Sequence, residues 1–360
     1  MKIAIIVGTR PEIIKMSPIM GELGRRGKDF FILHTGQHYS YNLDRVFFEQ
    51  LELPQPRHNL DVGSGTHAEE TGKMLIGIEN VLLDEKPDII LVEGDTNSVL
   101  AGALAAAKLH IKVGHVEAGL RSADRTMPEE INRIIADHLS DCLFAPTPKA
   151  KETLLREGIP EEKIFVTGNT IVDAVHQNLD IANSKANALR NLGLYPQKYV
   201  LVTVHRQENV DDPRRFGGIL DGLEKLSEVL GMPIIYPIHP RSVRRMDEFG
   251  FQPDGIKLTD PADFFSFLQL EANARLVLTD SGGVQEETCI LGVPCVTLRD
   301  NTERPETIEV GSNILAGAIS DKILECSKIM LDRQNNWRNP YGDGNAGERI
   351  VGVLMKDSNV

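Results

Sequence analysis

The stretch KIAIIVGTRPEIIK, residues 2–15, sets the reading of the whole chain. An unbroken apolar run of strand length ends at Gly8, a short polar turn follows, and Pro11 opens an amphipathic segment. A run that is apolar on both faces is a strand covered by helices on either side, as in a parallel sheet. Proline suits the first helical turn, where its missing N–H has no partner to lose. Strand, turn and helix together predict one step of a doubly wound α/β domain.

The same step recurs outward from there. FFILHT (30–35), DIILVEGD (88–95) and VGHVEAG (113–119) read as further strands of the first half, with SVLAGALAAAKLH (98–110) as one of the helices between them. YVLVTVH (199–205), PIIYPIH (233–239), GIKLTD (255–260), RLVLTDSG (275–282) and PCVTL (294–298) repeat the series. Right-handed crossovers then predict two Rossmann-like domains. We place the first at 1–170 and the second at 171–344. A C-terminal helix, 345–357, is expected to pack back on the first. At 360 residues the chain is long enough for two cores.

Composition narrows the function. A net charge of -13 argues against a nucleic-acid surface. No run approaches the roughly 18–20 apolar residues of a membrane span, and IAIIVG is too short for a signal-peptide core. Cys142, Cys289, Cys295 and Cys326 show no CxxC or metal-type spacing, so reduced, buried thiols in a cytoplasmic protein are expected. The P-loop, the HExxH zinc motif and the GxSxG elbow are missing. GDGNAG (342–347) matches the dinucleotide string GxGxxG but follows no strand. Neither a metal nor a cofactor is expected.

Ligands of open parallel sheets sit beyond the carboxyl ends of the strands. Those ends carry Gly8-Thr9-Arg10, Gly94-Asp95, Glu117, His205-Arg206, His239 and Asp280-Ser281-Gly282-Gly283. Two such domains turned toward one another would enclose a cleft. In VLTDSGGVQEE (277–287) a strand gives way through two glycines to a helix, whose free N–H groups suit a phosphate or merely a serine cap. Arg10, Lys15 and Arg304 are candidate cations for a diphosphate. Asp95, Glu117 and Glu129 supply carboxylates whose repulsion would raise a pKa into the range of acid/base work, although Glu129 alone reads equally as a dipole partner. His205 and His239 occupy strand ends where an imidazole is either structural or functional.

Together GTRPEIIKMSP, VEGDTNSVLAGALAA, VGHVEAGLRS, MPEEINR, VTGNTIVDA, LTDSGGVQEE, LRDNTERPET and NPYGDG resemble the non-hydrolysing UDP-N-acetylglucosamine 2-epimerases, the archaeal members most of all. The resemblance runs in order along nearly the whole chain. It implies the GT-B architecture of paired Rossmann-like domains and a homodimer. It also implies epimerisation of UDP-N-acetylglucosamine to UDP-N-acetylmannosamine through 2-acetamidoglucal and bound UDP, a supply step for polysaccharide biosynthesis. By the same resemblance Asp95, Glu117 and Glu129 are the acid/base carboxylates and His205 steadies the leaving phosphate. Arg10, Lys15, Ser281, Gly282, Gly283 and Arg304 are clamp positions, Glu287 binds ribose, and Phe267 packs on the uracil. His239 joins this substrate-binding set, and at Ala262 only a backbone contact to the base is available. Gln37 and His38 match part of a bacterial site for a second substrate molecule, but the residues after them differ. Three other readings stay open: a 2-epimerase of UDP-2,3-diacetamido glucuronate, a GT-B glycosyltransferase with a UDP-sugar donor, and a silent nucleotide-sugar sensor.

Overall fold

The computed structural model describes residues 1–36 and 47–356. The chain forms two compact units, Met1–Ala174 with Tyr341–Val360, and Val175–Pro340.

In the first unit the described strands are β1 (Lys2–Val7), β2 (Asp29–His34), β3 (His58–Asn59), β4 (Ile89–Glu93), β5 (Lys112–Val116), β6 (Cys142–Ala145) and β7 (Ile164–Val166). They lie in the order β3-β2-β1-β4-β5-β6-β7, and every neighbouring pair is parallel. Ile3 through Val7 and Ile89 through Val92 are all buried, as expected of strands covered on both faces. Full burial of an Ile or Leu contributes about 1.5–3 kcal/mol. The chain lays β1, β2 and β3 to one side, then returns across β1 to start β4 on the other. The topological switch point therefore falls between β1 and β4.

The second unit repeats this plan with β8 (Val200–Thr203), β9 (Ile234–Pro237), β10 (Ile256–Thr259), β11 (Leu276–Thr279), β12 (Cys295–Thr297) and β13 (Asn313–Leu315). The order is β10-β9-β8-β11-β12-β13, parallel throughout, with the switch point between β8 and β11. Val200, Val202, Leu276 and Leu278 face one core with Phe216, Leu223 and Ile323. Tyr199, Leu201 and Val277 face the other with Leu270 and Val293. These are two Rossmann-like doubly wound sheets, the pair of domains that GT-B architecture comprises. All four cysteines are buried free thiols.

The first unit is discontinuous in sequence. Helix Ala346–Lys356 returns to it, while Asp357 lies outside the described residues. The Asp173 carboxylate accepts from the N–H groups of Ala346 (3.2 Å) and Gly347 (2.9 Å), filling two of the donors a helix start leaves unpaired. A Cβ at Gly347 would stand 3.0 Å from the Pro18 side chain and 3.1 Å from its backbone, so glycine lets this helix lie close against helix Arg10–Arg25.

Candidate active site

Polar side chains gather at both switch points. In the first unit Gly8 ends β1, and a Cβ there would fall 2.1 Å from Ser98 Oγ and 2.3 Å from Thr35 Oγ1. Only glycine lets the turn pass beneath helix Asn97–Lys108. Glu12, 2% exposed, accepts from Gly8 N (2.6 Å), Thr9 N (2.7 Å) and Thr96 Oγ1 (2.5 Å). One carboxylate so ties the turn after β1 to the turn after β4. Burial pushes Glu12 upward in pKa, and those hydrogen bonds pull part of the way back.

Asp95 and Glu117 lie in the turns that follow β4 and β5, and Arg133 joins them. Its Nη2 lies 2.5 Å from Asp95 Oδ2 and 3.4 Å from Glu117 Oε1, and its Nη1 donates to the Glu117 carbonyl at 2.7 Å. Asn132, beside it on helix Pro128–Leu139, donates to the Asp95 carbonyl at 2.9 Å. Lys15 reaches in from helix Arg10–Arg25 to pair with Glu117 Oε2, and with Glu93 Oε1 at 3.2 Å. Asn169 donates to Glu117 Oε2 at 3.2 Å. Glu117, Glu93 and Arg133 are all buried, whereas the Asp95 side chain is 34% exposed. Glu117 has a φ of 66° in the left-handed region. For a non-glycine residue that costs of the order of 1–3 kcal/mol and is typical of functional positions.

A further layer supports the β4 turn. His115 bridges the Gly94 carbonyl (2.8 Å) and Asp137 (2.7 Å), and Arg121 meets the same aspartate at 2.7 Å. Burial raises Asp137, but His115 and Arg121 outweigh it and leave the carboxyl below its usual range. Glu129 is exposed in the first turn of helix Pro128–Leu139, and no contact from it to Asp95 or Glu117 is seen among the described residues. The Arg10 guanidinium lies over the Phe47 ring, 5.7 Å from its centroid.

In the second unit the switch point centres on Asp280, which is wholly buried. It accepts from His205 N (3.0 Å), Arg206 N (3.0 Å) and Asn209 Nδ2 (3.1 Å). Its Oδ1 lies 3.2 Å from Nδ1 of the half-exposed His205 ring, which leaves Nε2 on the opposite edge. Burial raises the Asp280 carboxyl, yet His205, Arg206 and Asn209 bring it below the ordinary range. Ser281 then opens helix Gly282–Leu291 without a side-chain cap bond. Neither Gly282 nor Gly283 has a positive φ. A Cβ on either would meet nothing of the protein nearer than 3.8 Å. Glycine is therefore not demanded by the chain itself. Its effect is to leave open the space before the helix N–H groups, where an anion is favoured.

Around this turn, Arg304 Nε pairs with Glu286 at 2.8 Å, and Glu287 stands in hydrogen-bonding reach of the fully buried Glu271. His239 is exposed, and its Nδ1 accepts from Arg241 N at 3.2 Å, a capping role. Ala262 lines a cavity of about 630 Å³ with Ile238, Leu258, Thr259 and Ser266. Phe267 is not part of that lining and packs half-buried against the core. Gln37 and His38 lie outside the described residues.

Several of these residues went unassigned in the sequence reading. Arg133 closes the quoted MPEEINR motif four residues after Glu129, so helical spacing put the two on one face. Asp280 was seen only as a strand end, although a buried aspartate before SGG needs backbone donors. Glu93 and Asn169 gave no local signal, because tertiary packing alone brings them to Glu117. Lys15, expected at a diphosphate, is ion-paired with Glu93 and Glu117.

Paired Rossmann-like units with carboxylates at one switch point and an open helix N-terminus at the other define an α/β enzyme of the GT-B class. Residues 22–355 match the family model described as UDP-N-acetylglucosamine 2-epimerase, and the chain belongs to that family. It is 57% identical to a UDP-N-acetylglucosamine 2-epimerase of Methanocaldococcus jannaschii, over 98% of this chain and 99% of that one. It is 42% identical to a UDP-2,3-diacetamido-2,3-dideoxy-D-glucuronate 2-epimerase of Pseudomonas aeruginosa, over 99% of this chain and all of that one. The crystal structure of the M. jannaschii epimerase in complex with UDP-GlcNAc and UDP superposes with a TM-score of 0.88, at 57% identity, covering 99% of this chain and 100% of that chain.

Proposed function

We propose that the protein interconverts UDP-N-acetylglucosamine and UDP-N-acetylmannosamine by eliminating UDP and adding it back. The observation that carries this reading is Glu117, a buried carboxylate held in a left-handed backbone between Lys15 and Arg133, with Asp95 beside it. The hydrogen on the carbon bearing the acetamido group is not acidic, since no carbonyl adjoins that carbon. Removal of that hydrogen therefore accompanies departure of UDP from the anomeric carbon, giving 2-acetamidoglucal. Re-addition with proton delivery to the other face gives the epimer. Asp95, Glu117 and Glu129 are the groups assigned to proton transfer. His205, oriented by Asp280, and the Ser281-Gly282-Gly283 turn are assigned to the leaving diphosphate, with Arg10 and Arg304 as cations and Glu287 on the ribose. Ala262 and its cavity suit the base.

Turnover in deuterated water tests the mechanism. Label is expected at the sugar 2-position of both epimers, and product formed without label would sink it. UDP-2,3-diacetamido glucuronate offered in parallel is expected to be the poorer substrate, in line with the lower identity to the enzyme named for it.

A homodimer is the expected assembly. Ile76 (64% exposed) and Leu83 (54%) on helix His67–Glu85, with Ile131 (46%) on helix Pro128–Leu139, leave apolar surface uncovered on the first unit. Light scattering that returned a monomer mass would exclude it. A cytoplasmic placement is the expected one; among the described residues no helix is long and apolar enough to cross a membrane.

A further inference from the structure

We propose that Glu93 is a positioning residue of the epimerisation, a neutral acid beneath the carboxylate set that keeps Lys15 committed to Glu117. The proposal rests on the epimerase reading. Three carboxyl groups, Asp95, Glu117 and Glu93, meet two cations. Arg133 spans Asp95 and Glu117, and Lys15 spans Glu117 and Glu93. Two positive charges balance two carboxylates. The third group either holds a proton or leaves a net negative charge in a buried site, which is costly.

The surroundings select Glu93 as the proton holder. Asp95 is partly exposed to water and lies 2.5 Å from Arg133. Glu117 has both cations and the Asn169 amide. Glu93 is 2% exposed, and its Oε1 has the Lys15 ammonium at 3.2 Å with no aligned hydrogen-bond donor among the described residues. Glu12 faces the same region and is satisfied by Gly8 N, Thr9 N and the Thr96 hydroxyl, so it lends Glu93 no cation and adds repulsion. Burial first of all holds the Glu93 carboxyl well above the ordinary range. Lys15 and Arg133 pull it down, and Glu117 and Glu12 push it up.

The consequence for catalysis follows from sharing one ammonium. With Glu93 neutral, Lys15 serves Glu117 and keeps it anionic. An ionised Glu93 would draw Lys15 away and raise the proton affinity of Glu117. The Glu93 proton takes no part in the balance of the reaction. The sugar hydrogen passes to a site carboxylate, and UDP departs with the bonding pair of the anomeric C–O bond.

Glu93→Gln imitates the neutral acid, and Glu93→Leu removes the polar contact to Lys15. Wild-type turnover of UDP-N-acetylglucosamine with solvent label at the 2-position is measured first, and its failure would overturn the epimerase reading itself. With that in hand, Glu93→Gln is expected to lose less than about tenfold in kcat near neutral pH, with the alkaline limb of its pH profile moved up by about one unit or more. Glu93→Leu is expected to lose about 100-fold in kcat with KM changed by less than about threefold. Equal losses in the two variants, or a Gln profile that superposes on wild type, would overturn the proposal. UDP binding and thermal unfolding show that each variant is folded. If the Leu variant does not fold, the alkaline limb of Glu93→Gln decides alone.

Discussion

Arg133, itself 5% exposed, holds a carboxylate on either side and the Glu117 carbonyl as well. Arg133→Met fills the volume but leaves two acids without their shared cation. Breaking a buried pair in this way costs about 3–5 kcal/mol. A lowered melting temperature and a kcat down by about 100-fold or more are expected. Unchanged kcat would remove Arg133 from the site. Glu271 carries a second residue-scale prediction. It is fully buried, and burial first, then the charge and hydrogen bond of Glu287, hold its carboxyl well above the ordinary range. The native state therefore keeps a proton on Glu271 that the unfolded chain releases above about pH 4.3. Stability is lost as pH rises from there through the raised native pKa. Tyr199 and Cys295 also face Glu271, and both are neutral near pH 7. Glu271→Gln removes this linkage, so its melting temperature should gain on wild type between pH 6 and 9, and parallel curves would refute it. Such carboxylates show how far single residues can be read. Asp95 and Glu117 were visible because strand ends are legible in the sequence, whereas the protonated partners Glu93 and Glu271 depend on neighbours that the fold brings from far along the chain.

At the scale of elements, two glycine-bearing turns look alike in sequence and differ in cause. Gly8 is glycine because Ser98 and Thr35 occupy the space a side chain needs. Gly283 is glycine although the protein leaves its surroundings empty. Gly8→Ala should thus destabilise the first unit by about 1–3 kcal/mol through overpacking and lower kcat by shifting the turn that carries Arg10. Gly283→Ala should leave the melting temperature the same or slightly higher, since alanine is the better helix former by up to about 1 kcal/mol. Its UDP affinity should still fall by about tenfold, because the methyl group enters the space assigned to the diphosphate. Calorimetric titration with UDP checks the second variant, and wild-type affinity would move the diphosphate away from this turn. The strand-glycine-helix pattern predicted both elements. It could not separate the two reasons, because one lies in side chains from other elements and the other in a ligand.

For the molecule as a whole, the double winding was legible because parallel strands buried on both faces leave long apolar runs, and each run is followed by a helix start such as Thr9-Arg10-Pro11 or Ser281-Gly282. Which strands lie side by side was not legible, and neither were the two switch points, since order in a sheet is fixed by contacts between distant segments. The discontinuity of the first unit gives the last prediction. Helix Ala346–Lys356 buries Ile350, Val351 and Leu354 and lies against helix Arg10–Arg25 through the Gly347–Pro18 approach. Helix Arg10–Arg25 in turn carries Lys15. Gly347→Val puts a branched side chain where a single Cβ already stands 3.0 Å from the Pro18 side chain and 3.1 Å from its backbone, and that backbone cannot swing aside as a flexible side chain would. The two helices must separate. Amide exchange should then rise in 10–25 and 346–356 while the strands of the second unit keep their protection. With Lys15 displaced from Glu117, kcat should fall, and UDP, assigned to the second unit, should still bind. Faster exchange spread evenly over both units would mean that the C-terminal helix supports the molecule in general, and a loss of catalysis that spares UDP binding would then have no basis.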